Sequence, residues 1–153
     1  MMALPVRLQT GRDLGDRLAN AVSDCFDAGY LRVVALGVDS PVLTDSALRS
    51  AIDRLRNVDL VLGPCHDGGY YVIGLSRPEL SIFSGIDWGS AQVFQETEER
   101  AKALGLSRLV MEPLFDVDRP EDLSRLSAML GPEHPAERTY EALLRVGTSP
   151  GDF

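Results

Sequence analysis

The sequence is poor in the residues that build several common kinds of site. Its two cysteines, Cys25 and Cys65, form no CxxC pair and belong to no Cys/His cluster. A zinc site is therefore not expected, and both are interpreted as free thiols in a reducing compartment. Basic side chains are outnumbered by acidic ones, 15 to 23, which gives a net charge of −8. A chain this acidic is not expected to bind nucleic acid through its phosphates.

Long apolar runs are also missing. No stretch approaches the ~20 residues of a membrane-spanning helix, and the first residues lack the shape of a signal peptide. We therefore expect a cytoplasmic protein without a membrane span. The 153 residues are enough for one domain with its own core. That domain is predicted over residues 1–147, followed by a flexible tail at 148–153.

Apolar spacing alternates along the chain between the helical and the strand type. The run from Leu31 to Leu36, a helical pattern and the run from Val58 to Leu62 form a predicted βαβ unit, which implies parallel pairing of its strands. The element order predicts an α/β fold, a three-layer sandwich with a mostly parallel sheet. Other strands are predicted at about 70–75 and 107–112, and helices at about 13–26, 44–56, 90–104, 120–130 and 136–146, with Thr44 and Ser90 as caps.

Asp39 is the strongest single candidate for chemistry. It follows the first strand and precedes Ser40 and Pro41, and Pro41 cannot continue a strand. A carboxylate leaving such a strand points into the crevice above the sheet, where it can bind Mg²⁺ or Mn²⁺ on a nucleotide diphosphate. The alternative is an aspartate that only forms a turn.

An acidic, glycine-rich turn follows the next strand. Asp67 can act there as a substrate-side acid, because Gly68 and Gly69 let the backbone approach a ligand closely. Of Tyr70 and Tyr71, one is expected to face the cleft. The alternatives are an ordinary Asp-Gly turn and tyrosines that serve packing alone.

Two further groups of polar residues are candidates. Asp116 and Asp118 share a face of an extended segment, so Asp116 can supply a second metal ligand, whereas Asp118 is interpreted as a helix cap. Gly11, before the first helix, can let a nucleotide lie against backbone N–H groups. Asp13 and Arg17 open that helix, where the alternatives are a cap and a solvated side chain.

Five segments in a fixed order carry a resemblance to a known family. Together they resemble GT-A-type glycosyltransferases sometimes called selenodomain-associated transferases, within the nucleotide-diphospho-sugar transferase superfamily. More distantly, they are similar to guanylyltransferases of molybdenum-cofactor and phospholactate metabolism. The resemblance covers about residues 9–130, and the segments are QTGRDLGDR (9–17), GVDSP (37–41), LGPCHDGGYYVIGL (62–75), GIDW (85–88) and FDVDRPEDL (115–123).

The resemblance implies a transferase that uses a nucleotide-sugar or nucleoside triphosphate as donor and Mg²⁺ or Mn²⁺ as cofactor. It assigns Asp67 to the acceptor side as the catalytic residue. The other implied residues are Asp39, Asp116 and Asp118 for the metal, Gln9, Gly11, Asp13 and Arg17 for the nucleotide, and Gly68, Gly69, Tyr70, Tyr71 and Trp88 for the substrate.

The chain departs from the family at its front. Members begin with a strand and a Pro-Gly-x-x-K-T-R loop expected to hold the phosphates, and this sequence has no counterpart of either. We therefore expect a fold lacking its first βα unit, with a sheet edge that must be covered or paired and without the charged contacts that usually recognise phosphates. This leaves three hypotheses: a glycosyltransferase-like enzyme, either active or inactive because that loop is absent; a nucleotidyltransferase of the guanylyltransferase type; or a non-catalytic module that forms a homodimer or binds a partner.

Overall fold

Helices and strands alternate through the part of the chain that the computed structural model describes, which is residues 6–117, 119–130, 139, 141 and 142, without the side chains of Pro120 and Glu121. The elements lie within a few residues of their predicted positions. They are α1 (Leu14–Asp27), β1 (Val33–Leu36), α2 (Asp45–Arg54), β2 (Leu60–Pro64), β3 (Tyr70–Leu75), a 3₁₀ turn (Leu80–Phe83), α3 (Val93–Ala103), β4 (Arg108–Val110) and α4 (Pro120–Met129).

The four strands form one mixed sheet in the order β1-β3-β2-β4. β3 pairs antiparallel with both β1 and β2, and β2 pairs parallel with β4. β1, β2 and β4 therefore run in one direction and β3 runs against them. The predicted direct pairing of β1 with β2 is wrong, because β3 returns from β2 through a short loop and occupies the position between them.

Helices cover both faces of this sheet, which confirms the predicted three-layer α/β architecture. Leu60 and Leu62 pack in a cluster with Val22 of α1 and Ala101 of α3. Val61 points to the opposite face, in a cluster with Ala51 and Leu55 at α2. The three consecutive side chains of β2 are fully buried. Burial of each stabilises the fold by about 1.5–3 kcal/mol.

Side-chain caps fix the starts of two helices. The carboxylate of Asp13 accepts a hydrogen bond from the backbone N–H of Asp16 at 2.8 Å, at the start of α1. The hydroxyl of Thr44 accepts one from the N–H of Ala47 at 3.2 Å, at the start of α2. Such caps typically contribute about 1 kcal/mol each.

Two other predicted caps have different outcomes. Ser90 does not cap α3, which begins at Val93 without a side-chain cap; the Ser90 hydroxyl accepts from the N–H of Gln92 in the turn before the helix. Asp118 lies outside the described residues. At the start of α4, the carboxylate of Asp122 accepts a hydrogen bond from the N–H of Arg119 at 2.9 Å.

The predicted features at the end of the chain fall mainly outside the described residues. Of the last predicted helix, Thr139, Glu141 and Ala142 are helical, and the predicted tail at 148–153 is not described. Among the residues that are described, no helix combines the length and apolar character that crossing a bilayer requires.

Candidate functional site

One cleft of about 570 Å³ lies over the end of the sheet where β1 and β2 finish and β3 begins. Its position matches the crevice outside the carboxyl ends of parallel strands, where open α/β sheets bind ligands. Most of the residues predicted for the site line this cleft. They are Gln9, Asp39, Asp67, Gly69, Tyr70, Tyr71, Trp88 and Asp116.

Backbone hydrogen bonds bring the acidic loops together. The N–H of Val117 donates to the carbonyl of Asp39 at 3.0 Å, which joins the loop after β1 to the segment that carries Asp116. The N–H of His66 donates to the carbonyl of Leu114 at 3.1 Å, which joins that segment to the loop after β2. Three loops that are distant in sequence therefore meet at the same end of the sheet.

Within the described residues, which leave out Asp118, the candidate metal ligands that lie together include one that the sequence did not predict. Ligand atoms of Cys65, Asp67 and Asp116 all lie within 4.8 Å of one another. Asp39 lines the same cleft, but its Oδ1 lies over Gly37, 2.8 Å from the point where a Cβ would stand. The sequence interpretation treated Cys65 only as a free thiol. No spacing in the sequence marked Cys65 for the site, because the turn at residues 66–67 and the contact with the segment carrying Asp116 bring these side chains together.

The neighbouring carboxylates place the Cys65 thiol in a negative electrostatic potential. Burial raises the pKa of Cys65 to about 12, and the negative charges of Asp116, Asp67 and Asp39 add to this rise, while the hydroxyl of Ser40 opposes it. At neutral pH the thiol is therefore protonated. Three carboxylates converging around it form the oxygen-rich, negative environment that fits a divalent cation.

The loop that carries Asp67 is anchored by its glycines. Gly68 has a φ of +96°, and its carbonyl accepts a hydrogen bond from the N–H of Phe94 at 2.8 Å. A Cβ on Gly68 would overlap the carbonyl of Ala91. The carboxylate of Asp67 accepts from the N–H of Gly69 at 2.8 Å. The Asp-Gly turn expected as the alternative is thus present, in a loop that also lines the cleft.

The two tyrosines differ in how their hydroxyls are satisfied. The hydroxyl of Tyr71 donates to the carbonyl of Glu112 at 3.1 Å. Burial raises the pKa of Tyr70, and its hydroxyl has no hydrogen-bond partner among the described residues. The nearby hydroxyl of Thr97, which opposes that shift, donates to the carbonyl of Val93 at 2.7 Å.

Trp88 forms an aromatic wall of the cleft. Its ring meets that of Tyr70 edge to face, with centroids 6.2 Å apart. Its indole also packs on α1 at Gly15, where any Cβ would overlap the indole nitrogen and lie 2.8 Å from the carbonyl oxygen of Phe83. The half-buried indole therefore has a fixed position beside the cleft.

The residues predicted for the nucleotide do not all reach the cleft. Gln9 lines it, whereas Arg17 lines a separate groove on α1 near Asp24. Asp13 is engaged as the α1 cap. Gly11, with a φ of +151°, lies against the start of α1, where a Cβ would stand 2.7 Å from the backbone nitrogen of Arg17. The structure brings only Gln9 of these four residues to the cleft.

Comparisons with known proteins agree with this architecture. A family model described as "Uncharacterized protein conserved in bacteria (DUF2064)" matches residues 2–90. A crystal structure from Desulfovibrio desulfuricans G20, described as a "putative nucleotide-diphospho-sugar transferase", is similar with a TM-score of 0.78 and 35% sequence identity. The similarity covers 90% of this chain and 64% of that protein. No curated protein matches the chain at a significant level.

Proposed function

The chain belongs to the DUF2064 family, and we propose that it is a metal-dependent transferase that uses a nucleotide-activated donor, in the manner of a glycosyltransferase. Its similarity to a protein described as a nucleotide-diphospho-sugar transferase supports the proposal. The chain spans 64% of that protein's length, so the donor, the acceptor and the activity are all part of what is proposed here.

The observation that carries the proposal is the convergence of Asp39, Asp67 and Asp116 on one cleft. They come from three loops, whereas aspartates that only form turns need not lie at the same cleft. Concentrated carboxylates repel one another unless a cation offsets their charge. The proposed cation is Mg²⁺ or Mn²⁺, held by Asp39 and Asp116. When bound, such a cation stabilises the negative charge that develops on a leaving diphosphate.

The other residues that line the cleft also have proposed roles. Asp67, close to Asp116, is proposed to orient the acceptor at the edge of the cation site. The rigidly placed indole of Trp88 offers a flat apolar surface suited to a sugar ring or a nucleobase. Gly69 leaves the loop backbone open to the cleft. Gln9 is the proposed contact to the nucleotide.

Isothermal titration with UDP, GDP and GTP, each with and without Mn²⁺, tests the proposal. We expect one of these nucleotides to bind with an affinity that rises when Mn²⁺ is present. Asp116→Asn removes one charge from the cation site, and we expect it to weaken Mn²⁺-dependent binding at least tenfold, by analogy with the cost of disturbing metal ligands. Asp39→Asn is expected to act in the same direction.

Asp53→Asn is the matched control, since Asp53 is an exposed acid on α2 and does not line the cleft. It should bind as the wild type does. Nucleotide binding that ignores Mn²⁺, or that survives Asp39→Asn and Asp116→Asn unchanged, would contradict the proposed cation site. Absence of binding by all forms would refute the transferase as a whole.

The sheet edge supports a second candidate, a module that pairs with a second copy or a partner. Within the described residues, β1 pairs only with β3, and an unpaired edge is a template for another strand. Apolar side chains along this edge are exposed, including Leu31 at 81% and Leu36 at 41%. If two copies pair through this edge, light scattering after size exclusion should show a dimer for the wild type and a monomer for Leu36→Lys. A wild type that is monomeric at all concentrations would reject self-pairing.

A further inference from the structure

The sulfur of Cys65 lies beside the candidate cation site, close to carboxylate oxygens of Asp67 and Asp116. We propose, on the basis of the function proposed above, that this sulfur is a ligand for the cation beside Asp67 and Asp116. The consequence is that the site would accept cations that bind sulfur, such as Co²⁺, Zn²⁺ or Cd²⁺, in addition to the Mg²⁺ or Mn²⁺ proposed above, and would bind them more tightly than carboxylates alone would.

The backbone holds Cys65 firmly at this position. Its N–H donates to the carbonyl of Gly69 at 2.9 Å, across the loop that carries Asp67. On its other side, it forms a parallel bridge with Leu114, two residues before Asp116. The three side chains therefore start from backbone positions tied to one another, and their ligand atoms lie within 4.8 Å of each other.

The spacing is close to that of a coordinated set. Bonds of about 2.0–2.3 Å at a tetrahedral angle place ligand atoms roughly 3.5 Å apart, so side-chain rotations of about 1 Å close the difference. Asp67 is exposed and lines the cleft. One of its oxygens accepts from Gly69, and a carboxylate has a second oxygen for the cation.

The chemistry of the donor set decides the selectivity. Mg²⁺ takes oxygen ligands and seldom sulfur, whereas thiolate favours softer or borderline cations. Binding replaces the thiol proton by the cation, and the proton leaves to solvent. The hydroxyl of Ser40 shares a hydrogen bond of 4.0 Å with the sulfur, and once the thiol proton has left, this hydroxyl can donate to the sulfur.

Co²⁺ is the most direct probe, since a sulfur ligand produces a near-ultraviolet charge-transfer absorption that oxygen ligands do not. The test uses the wild type, Cys65→Ser and Cys25→Ser. Cys25 is the other free cysteine, with similar partial burial, but it lies on α1 and does not line the cleft. Each form is titrated with Co²⁺ by absorbance, and with Cd²⁺ and Mn²⁺ by calorimetry.

We expect the charge-transfer band in the wild type and in Cys25→Ser, and its loss in Cys65→Ser. Mutation of residues that only hydrogen-bond to metal ligands already weakens metal affinity about 10- to 100-fold. Cys65→Ser should therefore weaken Cd²⁺ at least tenfold while Mn²⁺ changes by less than about threefold.

Two results would overturn the inference. One is a wild type that binds Co²⁺ without the sulfur band, and the other is a Cys65→Ser variant with unchanged Cd²⁺ affinity. In both cases Mn²⁺-dependent nucleotide binding still tests the transferase separately. If that binding persists in either case, the proposed function stands and the sulfur ligand fails.

Discussion

Replacing Gly68 by alanine tests how the loop that carries Asp67 is held in place. The φ of +96° at Gly68 costs an L-residue about 1–2 kcal/mol. The added Cβ would also overlap the carbonyl oxygen of Ala91 and lie 2.5 Å from its carbonyl carbon. Overpacking of this kind costs about 1–3 kcal/mol. We expect Gly68→Ala to lower the free energy of unfolding by about 2–5 kcal/mol, a large part of the ~5–15 kcal/mol typical of a domain.

Two other glycines separate the backbone cost from the steric cost. Gly89 has a φ of +106° and no atom within 4 Å of its would-be Cβ, so Gly89→Ala should cost only the backbone part, about 1–2 kcal/mol. Gly69 has no positive φ, and its would-be Cβ first meets the movable carboxylate of Asp67 at 3.2 Å. Gly69→Ala is expected to cost less than about 1 kcal/mol.

Urea denaturation followed by fluorescence of the single tryptophan, Trp88, measures all three variants. Equal slopes of free energy against urea are needed for the midpoints to be compared. If Gly68→Ala destabilises no more than Gly89→Ala, the overlap with Ala91 does not occur. The Asp67 loop would then not be anchored on the start of α3 as described.

Two further predictions concern hydrogen bonds near the cleft and across the sheet. Tyr71→Phe loses the bond to Glu112 and should cost about 1 kcal/mol, whereas Tyr70→Phe should be neutral or stabilising; equal losses in urea would contradict this. Hydrogen bonds from Ser107 hold the pKa of Asp59 below its usual value, so the stability contributed by its charge is present above about pH 4 and lost as pH falls through the lowered pKa. We expect Asp59→Asn to cost up to about 1 kcal/mol at pH 7 and progressively less in thermal melts at lower pH; a loss independent of pH would refute this.

The positions of the helices and strands could be predicted because their signals act over a few residues. Asp13 and Thr44 cap helices through contacts three residues along the chain, and apolar spacing marks the buried face of α1. The wrong prediction of Ser90 as a cap also involves only a few residues. The turn before α3 uses that hydroxyl two residues too early to cap the helix.

The family segments also identified eight of the residues that line the cleft, among them Asp39, Asp67 and Asp116. Their roles stay predictions until binding is measured. Arg17 shows the limit of such an assignment, because a segment fixes which residue is present but not which groove its side chain enters. Here α1 turns Arg17 toward a separate groove.

The sequence by itself determined the local elements, the apolar faces and the acidic loops. Only the tertiary structure decided that β3 separates β1 from β2 and that Cys65 joins Asp67 and Asp116. The physical reason is common to both. Strand order and the meeting of loops depend on pairing between segments far apart in the chain, here β2 with β4 and Cys65 with Leu114, and no pattern within one segment encodes its distant partner.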